Sequence, residues 1–273
     1  SVDATHGEIG PAGRSVRSAL RDARARRAAA GQAGPAPRTA PAASYDPYRI
    51  TLPVVELDRD EWHACAARHE GTSNTLFTAL VCGIVRRSGY PVDGQLRVSV
   101  AVSKRGGADD RRANASGGVW LRIEDTWTWP GSLTQLRAHT RKILGDYART
   151  GTDIPDDVTA IARLLPRRAL RTALDAVPSP DVSVSNLGVL PEKIRTLFGT
   201  EPSRFLLRLI VVDSDGAGGP MPGPALSAWV VEYGDRVMLS FAGFNPEHFG
   251  DDAVFREIIA AELTAWGLGH RFA

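Results

Sequence analysis

A helix that is apolar on nearly every side is the hardest element for a water-soluble chain to place, and this sequence carries one. Across Thr75–Arg87, Leu76, Leu80, Cys82, Ile84 and Val85 leave almost no polar face, so the segment must be covered all round rather than lie on a surface. Thr72-Ser73-Asn74 just before it supplies hydroxyl and amide groups that cap a helix start. The cover has to come from elsewhere in the chain, and several strands are available. Gln95–Ser103 sets Leu96, Val98, Val100 and Val102 on alternate positions, the two-residue period of a strand. Tyr48–Leu57 and Val119–Ile123 read the same way. Ser227–Tyr233 and Arg236–Phe241 flank Gly234-Asp235, a good two-residue hairpin turn.

Helices fall between these strands. Asp60–Arg68 has Asp58 or Asp60 as its cap. Leu133–Tyr147 is amphipathic through Leu133, Leu136, Thr140, Ile143, Leu144 and Tyr147. A closing helix over Asp251–Trp266 is capped by Asp251 or Asp252. Residues 156–176 read as a helix, 191–198 as a short helix and 205–213 as an apolar strand. Strands at intervals with long helices between them predict an α+β fold, a mixed sheet flanked by helices.

The first residues are organised differently. Val2 and Ala4 suit the end of a strand, His6–Gly10 a glycine-bearing turn, and Pro11 the first turn of a helix over Gly13–Ala30. That helix carries Arg14, Arg17, Arg21, Arg24, Arg26 and Arg27 on one side; a solvated face is the default reading and an anionic partner the other. Gly31–Ser44 is rich in Ala, Pro and Gly and reads as a linker. The expected division is therefore 1–30 as the end of one subdomain, 31–44 as linker and 45–273 as a second subdomain. One strand and one helix cannot make a domain, so the missing part is expected on another chain or earlier in a larger fold.

Charge argues against one class of partner. The chain has 33 basic and 31 acidic residues, a net +2, whereas a nucleic-acid-binding domain is usually strongly basic. Cys65 and Cys82 are the only cysteines; with no His/Cys ligand spacing nearby they do not make a zinc site, and a disulfide framework is not expected. Neither a signal peptide nor a transmembrane run is read, and a reducing cytoplasm is the expected location. The basic residues are nearly all Arg, the imprint of a high-GC bacterial genome.

The stretch with most chemical content is Asp181–Gly188. Val182 and Val184 alternate with Ser183 and Ser185, and the strand is expected to stop at Asn186-Leu187-Gly188. A strand that ends in hydroxyls and a carboxamide suits a polar group of a substrate, and it equally suits an ordinary Ser/Asn turn. No GxSxG elbow, P-loop or GxGxxG after a strand is found; Gly216–Gly219 is followed by three prolines and reads as a surface loop. His63 and His69 are six residues apart, which is not a one-face metal spacing. His139 lies on the polar side of its amphipathic helix, His248 in the loop before the closing helix and His270 near a fraying terminus.

The order of these stretches resembles the chloramphenicol-acetyltransferase-like superfamily, mainly its C-terminal subdomain, over about residues 50–273. That superfamily includes condensation domains of nonribosomal peptide synthetases and wax ester synthase/diacylglycerol acyltransferases. Gly71–Leu80 looks like the buried helix that opens the second subdomain. Val98–Arg105, with Asn114–Gly118 and Trp120–Arg122, resembles the strand–Arg–loop–strand of condensation domains. Val184–Gly188 is similar to the Ser-Asn motif of the wax ester synthases, and Leu239–Asn245 to the last strand.

The resemblance implies an acyltransferase that moves an acyl group from a CoA or carrier-protein thioester to an alcohol or amine. A histidine would take the acceptor's proton, and no bound cofactor is needed. His6 falls where the family's HHxxxDG motif should be, with Thr5 at the first His, Gly10 at the Asp and Pro11 at the Gly. The resemblance thus makes His6 the candidate catalytic base, Ser185 and Asn186 the candidates for lining the site or steadying the oxyanion, and Arg105 a structural support. With Gly10 in place of the Asp, the family's Asp–Arg pair is not available unless Glu8 substitutes. The implied partners are the N-terminal half of the same fold, on a separate or cleaved chain, and an acyl carrier protein. A non-catalytic module that binds a carrier protein or partner enzyme is the alternative.

Overall fold

Asp58 and Thr72 decide where the first two helices begin. The computed structural model describes residues 50–92, 94–105, 111, 116–128, 130–150, 180–191 and 223–273. In it, strand β1 (Val54–Asp58) runs into helix α1 (Arg59–Arg68), and the Asp58 carboxylate accepts from the backbone N–H of Glu61. Helix α2 (Ser73–Arg87) opens on a capping box in which Thr72 and Thr75 each bond the other's backbone N–H. That reciprocal pair satisfies two of the donors every helix start leaves orphaned.

Strand β2 (Gln95–Ser103) pairs with β3 (Ser116–Glu124), and a short 3₁₀ turn at Asp125–Trp127 leads towards helix α3 (Thr134–Thr150). Strand β4 (Val182–Val189) follows. Strands β5 (Leu226–Tyr233) and β6 (Arg236–Gly243) form the expected hairpin, with Gly234 at φ 57° in the turn. The short helix α4 (Pro246–Phe249), helix α5 (Asp252–Ala265), capped by Asp251, and the two-residue strand β7 (Arg271–Phe272) complete the described chain.

The strands make one sheet in the order β3-β2-β4-β5-β6-β1-β7. Strand β4 is parallel to both β2 and β5; the other pairings are antiparallel. One face of this sheet carries the helices. Leu96, Val98, Val100, Val184, Leu226, Val230, Leu239 and Phe241 join Leu76, Phe77, Leu80 and Ile84 of α2 in a single apolar cluster. From Thr75 to Val85 every residue of α2 is buried, as an all-round apolar helix requires, and each large side chain placed there contributes roughly 1.5–3 kcal/mol. Gly83 is part of the fit: a Cβ there would lie 2.0 Å from Glu262 Oε1 of α5. Glu262, 3% exposed, accepts from Trp266 Nε1 at 2.9 Å and from Arg87 Nε at 2.5 Å.

Three expectations are corrected. Strand β4 does not stop at Asn186-Leu187-Gly188 but continues to Val189 through a β-bulge, with Gly188 at φ 70° absorbing the extra residue. The loop before the closing helix contains α4, because Asn245 accepts from the N–H of Glu247 and Pro246 presets the first turn. The region of His270 is not a fraying end: Arg271 and Phe272 pair with Glu56 and Val55. The predicted segments at 1–30, 31–44, 156–176, 191–198, 205–213 and 216–219 lie wholly or mainly outside the described residues.

Candidate functional site

Parallel pairing puts the chemistry at one edge of the sheet. Strands β2, β4 and β5 run the same way, and β1 joins them because both β1 and β5 are antiparallel to β6. Their carboxyl ends bring Arg105, the Asn186–Val189 bulge, Glu232 and Asp58 to a common edge. Helices α1 and α2 both start there.

Of the candidate residues, Ser185 and Asn186 are described in full. They point to opposite faces. Ser185 is in register with Trp229, which pairs with Ser240, and Ser240 with Val54. Val54, Val231 and Met238 form the small cluster of the second face, so Ser185 lies on that side. The Ser240 hydroxyl there is buried with no hydrogen-bond partner among the described residues. Asn186 pairs with Val230, a residue of the main core, and so faces the helices. Its Oδ1 accepts from the backbone N–H of Gly188 at 2.8 Å. That bond closes the bulge as an Asx turn and leaves the Nδ2 protons of Asn186 to donate elsewhere. A single ligand reaches both side chains only by straddling the strand end. Arg105 is exposed just past the carboxyl end of β2, where its N–H donates to Ser103 Oγ at 3.3 Å. His6 and Glu8 lie outside the described residues.

The structure adds a cluster at the same edge that the sequence did not reveal. Val189 is in register with Glu232, and the N–H of Leu190 donates to the Glu232 carbonyl at 2.9 Å. The Glu232 side chain is 7% exposed and gathers three groups. Arg59 Nε and His63 Nε2 each lie 3.0 Å from Oε2, Ser73 Oγ donates to Oε1 at 3.3 Å, and Trp62 Nε1 donates to Ser73 Oγ at 2.8 Å. Burial alone would raise the Glu232 carboxyl. Hydrogen bonds from His63 and Arg59, and their charges, outweigh burial and hold it below the ordinary carboxylate range. An ionised carboxylate only accepts, so His63 Nε2 is the donor of that bond. Residues 63 and 232 share no local pattern in sequence; their meeting depends on the packing of α1 against β1, β6 and α2.

The other described histidines are occupied differently. His69 Nδ1 donates to the Gly131 carbonyl at 2.6 Å and stacks edge-on against Trp266, and His248 Nδ1 bonds the Ser88 carbonyl at 3.0 Å. His270 Nδ1 bonds the Leu268 carbonyl at 3.2 Å. His139 packs beside Trp127, and burial and Lys142 lower its pKa. Further along the edge, a cleft of about 410 Å³ is lined by Glu56, Asp58, Glu61, Arg236, His270 and Arg271. Both of its arginines are held by Glu56, so the cleft presents no uncommitted cation to an anionic ligand. Among the described residues no His/Cys/Asp/Glu group suits a metal ion, and no helix is long and apolar enough to cross a membrane. Both cysteines are buried as free thiols, and burial pushes Cys82 up to about 12.

No family model and no curated protein matches the sequence. Solved structures do. The condensation domain from Monacolin K polyketide synthase MokA superposes with a TM-score of 0.56 at 11% identity, over 92% of this chain and 57% of that one. The wax ester synthase/diacylglycerol acyltransferase from Marinobacter aquaeolei VT8 gives 0.54 at 13% identity, over 92% and 55%. A starter condensation domain of rhizomide synthetase RzmA, in complex with C8-CoA and Leu-SNAC, gives 0.51 at 17% identity, over 93% and 53%. The chain thus spans about half the length of each of these proteins. At such identities the likeness speaks for the backbone, and the chain has the chloramphenicol-acetyltransferase-like fold of condensation domains and wax ester synthases.

Proposed function

We propose that this chain is part of an acyltransferase that moves an acyl group from a CoA or carrier-protein thioester to an alcohol or amine acceptor, with His6 as the general base. The observation that carries the reading is the shared fold: over 92% of its length the chain superposes on both an acyltransferase and a condensation domain. In this reading the His6 imidazole takes the acceptor proton as oxygen or nitrogen attacks the thioester carbonyl, and no covalent enzyme intermediate forms. Asn186, whose Oδ1 is taken by the Gly188 N–H and whose Nδ2 has no acceptor among the described residues, supports the role of a donor to the oxyanion. Arg105 supports the turn around His6. The thioester is a substrate and no cofactor is retained. The N-terminal half of the fold completes the cleft, on the same or a separate polypeptide, and an acyl carrier protein is the natural donor partner.

One observation favours a second reading. Thr5, Gly10 and Pro11 stand at three of the four defining positions of the HHxxxDG motif, which fits a non-catalytic module that binds a carrier protein or partner enzyme. His6→Ala separates the two. The catalytic reading expects acyl transfer to fall about 100-fold or more while carrier binding and the folded state persist; unchanged transfer rules out His6 as the base.

A further inference from the structure

We propose that His63 and Glu232 form an acid–base dyad that activates water against an acyl thioester, giving the protein a hydrolytic activity that does not need His6. The choice of thioester rests on the acyltransfer reading; the dyad rests on its own geometry.

Glu232 is held by more donors than charge balance requires. Arg59 Nε at 3.0 Å already compensates the carboxylate, and Ser73, itself fixed by Trp62, anchors the other oxygen. The additional contact, from His63 Nε2 at 3.0 Å, comes from a side chain 46% exposed. The buried, anchored partner orients the exposed one: the carboxylate fixes the imidazole's tautomer and its direction. Nδ1 has no hydrogen-bond partner among the described residues. A neutral imidazole with one nitrogen tied to a carboxylate and the other open is the arrangement a general base needs.

A donor for the developing oxyanion stands on the same face. Asn186 and Glu232 both face the helices, on neighbouring strands and two register positions apart, so strand spacing puts their Cα atoms about 8 Å apart.

The step balances without any further reagent. Water gives a proton to His63 Nδ1 as its oxygen bonds to the thioester carbon. The tetrahedral oxyanion collapses, the C–S bond breaks, and the departing thiolate takes the proton back from Nδ1. Glu232 stays ionised throughout. The products are a carboxylic acid and a free thiol.

The full chain tests this with acetyl- and octanoyl-thioesters of CoA and of N-acetylcysteamine. Thiol release in water alone reports hydrolysis, and product formation with added alcohols and amines reports transfer. His63→Ala, and His63→Gln, which keeps a donor to Glu232, are expected to lower the kcat of hydrolysis about 100-fold with KM little changed. Added imidazole should restore part of the His63→Ala loss. Hydrolysis that depends on His63 without any transfer would keep the dyad and remove the acyltransfer reading. Transfer without hydrolysis, or hydrolysis indifferent to His63, would remove the dyad alone. A chain that performs neither reaction would overturn both. Equal unfolding midpoints for His63→Gln and the parent exclude a fold defect as the cause of any loss.

Discussion

Two buried carboxylates sit at opposite ends of adjacent strands, and the sheet treats them differently. Asp181, just ahead of β4, is closed. Arg97 Nη2 donates to its Oδ1 at 2.7 Å, the Arg97 backbone N–H to its Oδ2 at 2.8 Å, and Tyr90 hydroxyl to its Oδ1 at 3.4 Å. The Asp181 hydrogen bond raises the Arg97 guanidinium further above its already high value, so the group stays charged. Glu232, at the far end of β5, is held by one permanent cation, one hydroxyl and one imidazole that is half in solvent. A carboxylate meant only to tie strands together is saturated by groups that do not titrate. One that also holds an exposed histidine is equipped to influence a proton. The Asp181–Arg97 pair thus lies at the amino end of β4 and the Glu232–His63 pair at the carboxyl edge.

Three measurements bear on that contrast. Asp181→Ala removes the carboxylate that accepts from Arg97, whose side chain is 19% exposed, and unfolding in urea should show a loss of about 3–5 kcal/mol. An effect below that of Glu232→Gln would reverse the assignment of structural weight. Glu232→Gln keeps the shape but replaces charge-assisted hydrogen bonds with neutral ones, and should cost about 2 kcal/mol near neutral pH. Its pH dependence has a definite sign. The folded carboxyl titrates below its ordinary 4.5, so its stabilisation is fully present above about 4.5 and is lost as pH falls through the folded value. The gap between parent and variant should therefore close on acidification below pH 4.5; a gap that widens there would contradict the ion-pair description. Smallest is Gly188→Ala. A Cβ there meets nothing within 4 Å, so only the left-handed backbone opposes it, at about 1 kcal/mol. A loss several times larger would mean that the bulge is tied into the site more tightly than its exposure shows.

Much of the scaffold could be read without coordinates. The two-residue period of Gln95–Ser103 coincides with β2, Thr72 and Asp251 cap the helices expected of them, and Gly234-Asp235 turns the hairpin. Each of these signals is written within a few residues, where backbone geometry and hydrogen-bond demand act directly on side-chain type. The same alternation separates Ser185 from Asn186, since neighbours on a strand face opposite ways. The bulge was less legible, because a glycine after a strand serves an exit and an insertion equally well.

The local sequence determined the elements, their caps and the buried character of α2, because period and capping are short-range properties. Tertiary structure alone decided that β4 lies between β2 and β5, that four carboxyl ends share one edge, and that His63 meets Glu232 across 169 residues of chain. No local pattern encodes such a meeting. It follows from the packing of a helix against a distant strand, where burial of apolar area selects the partner and the polar groups at the rim come together as a consequence.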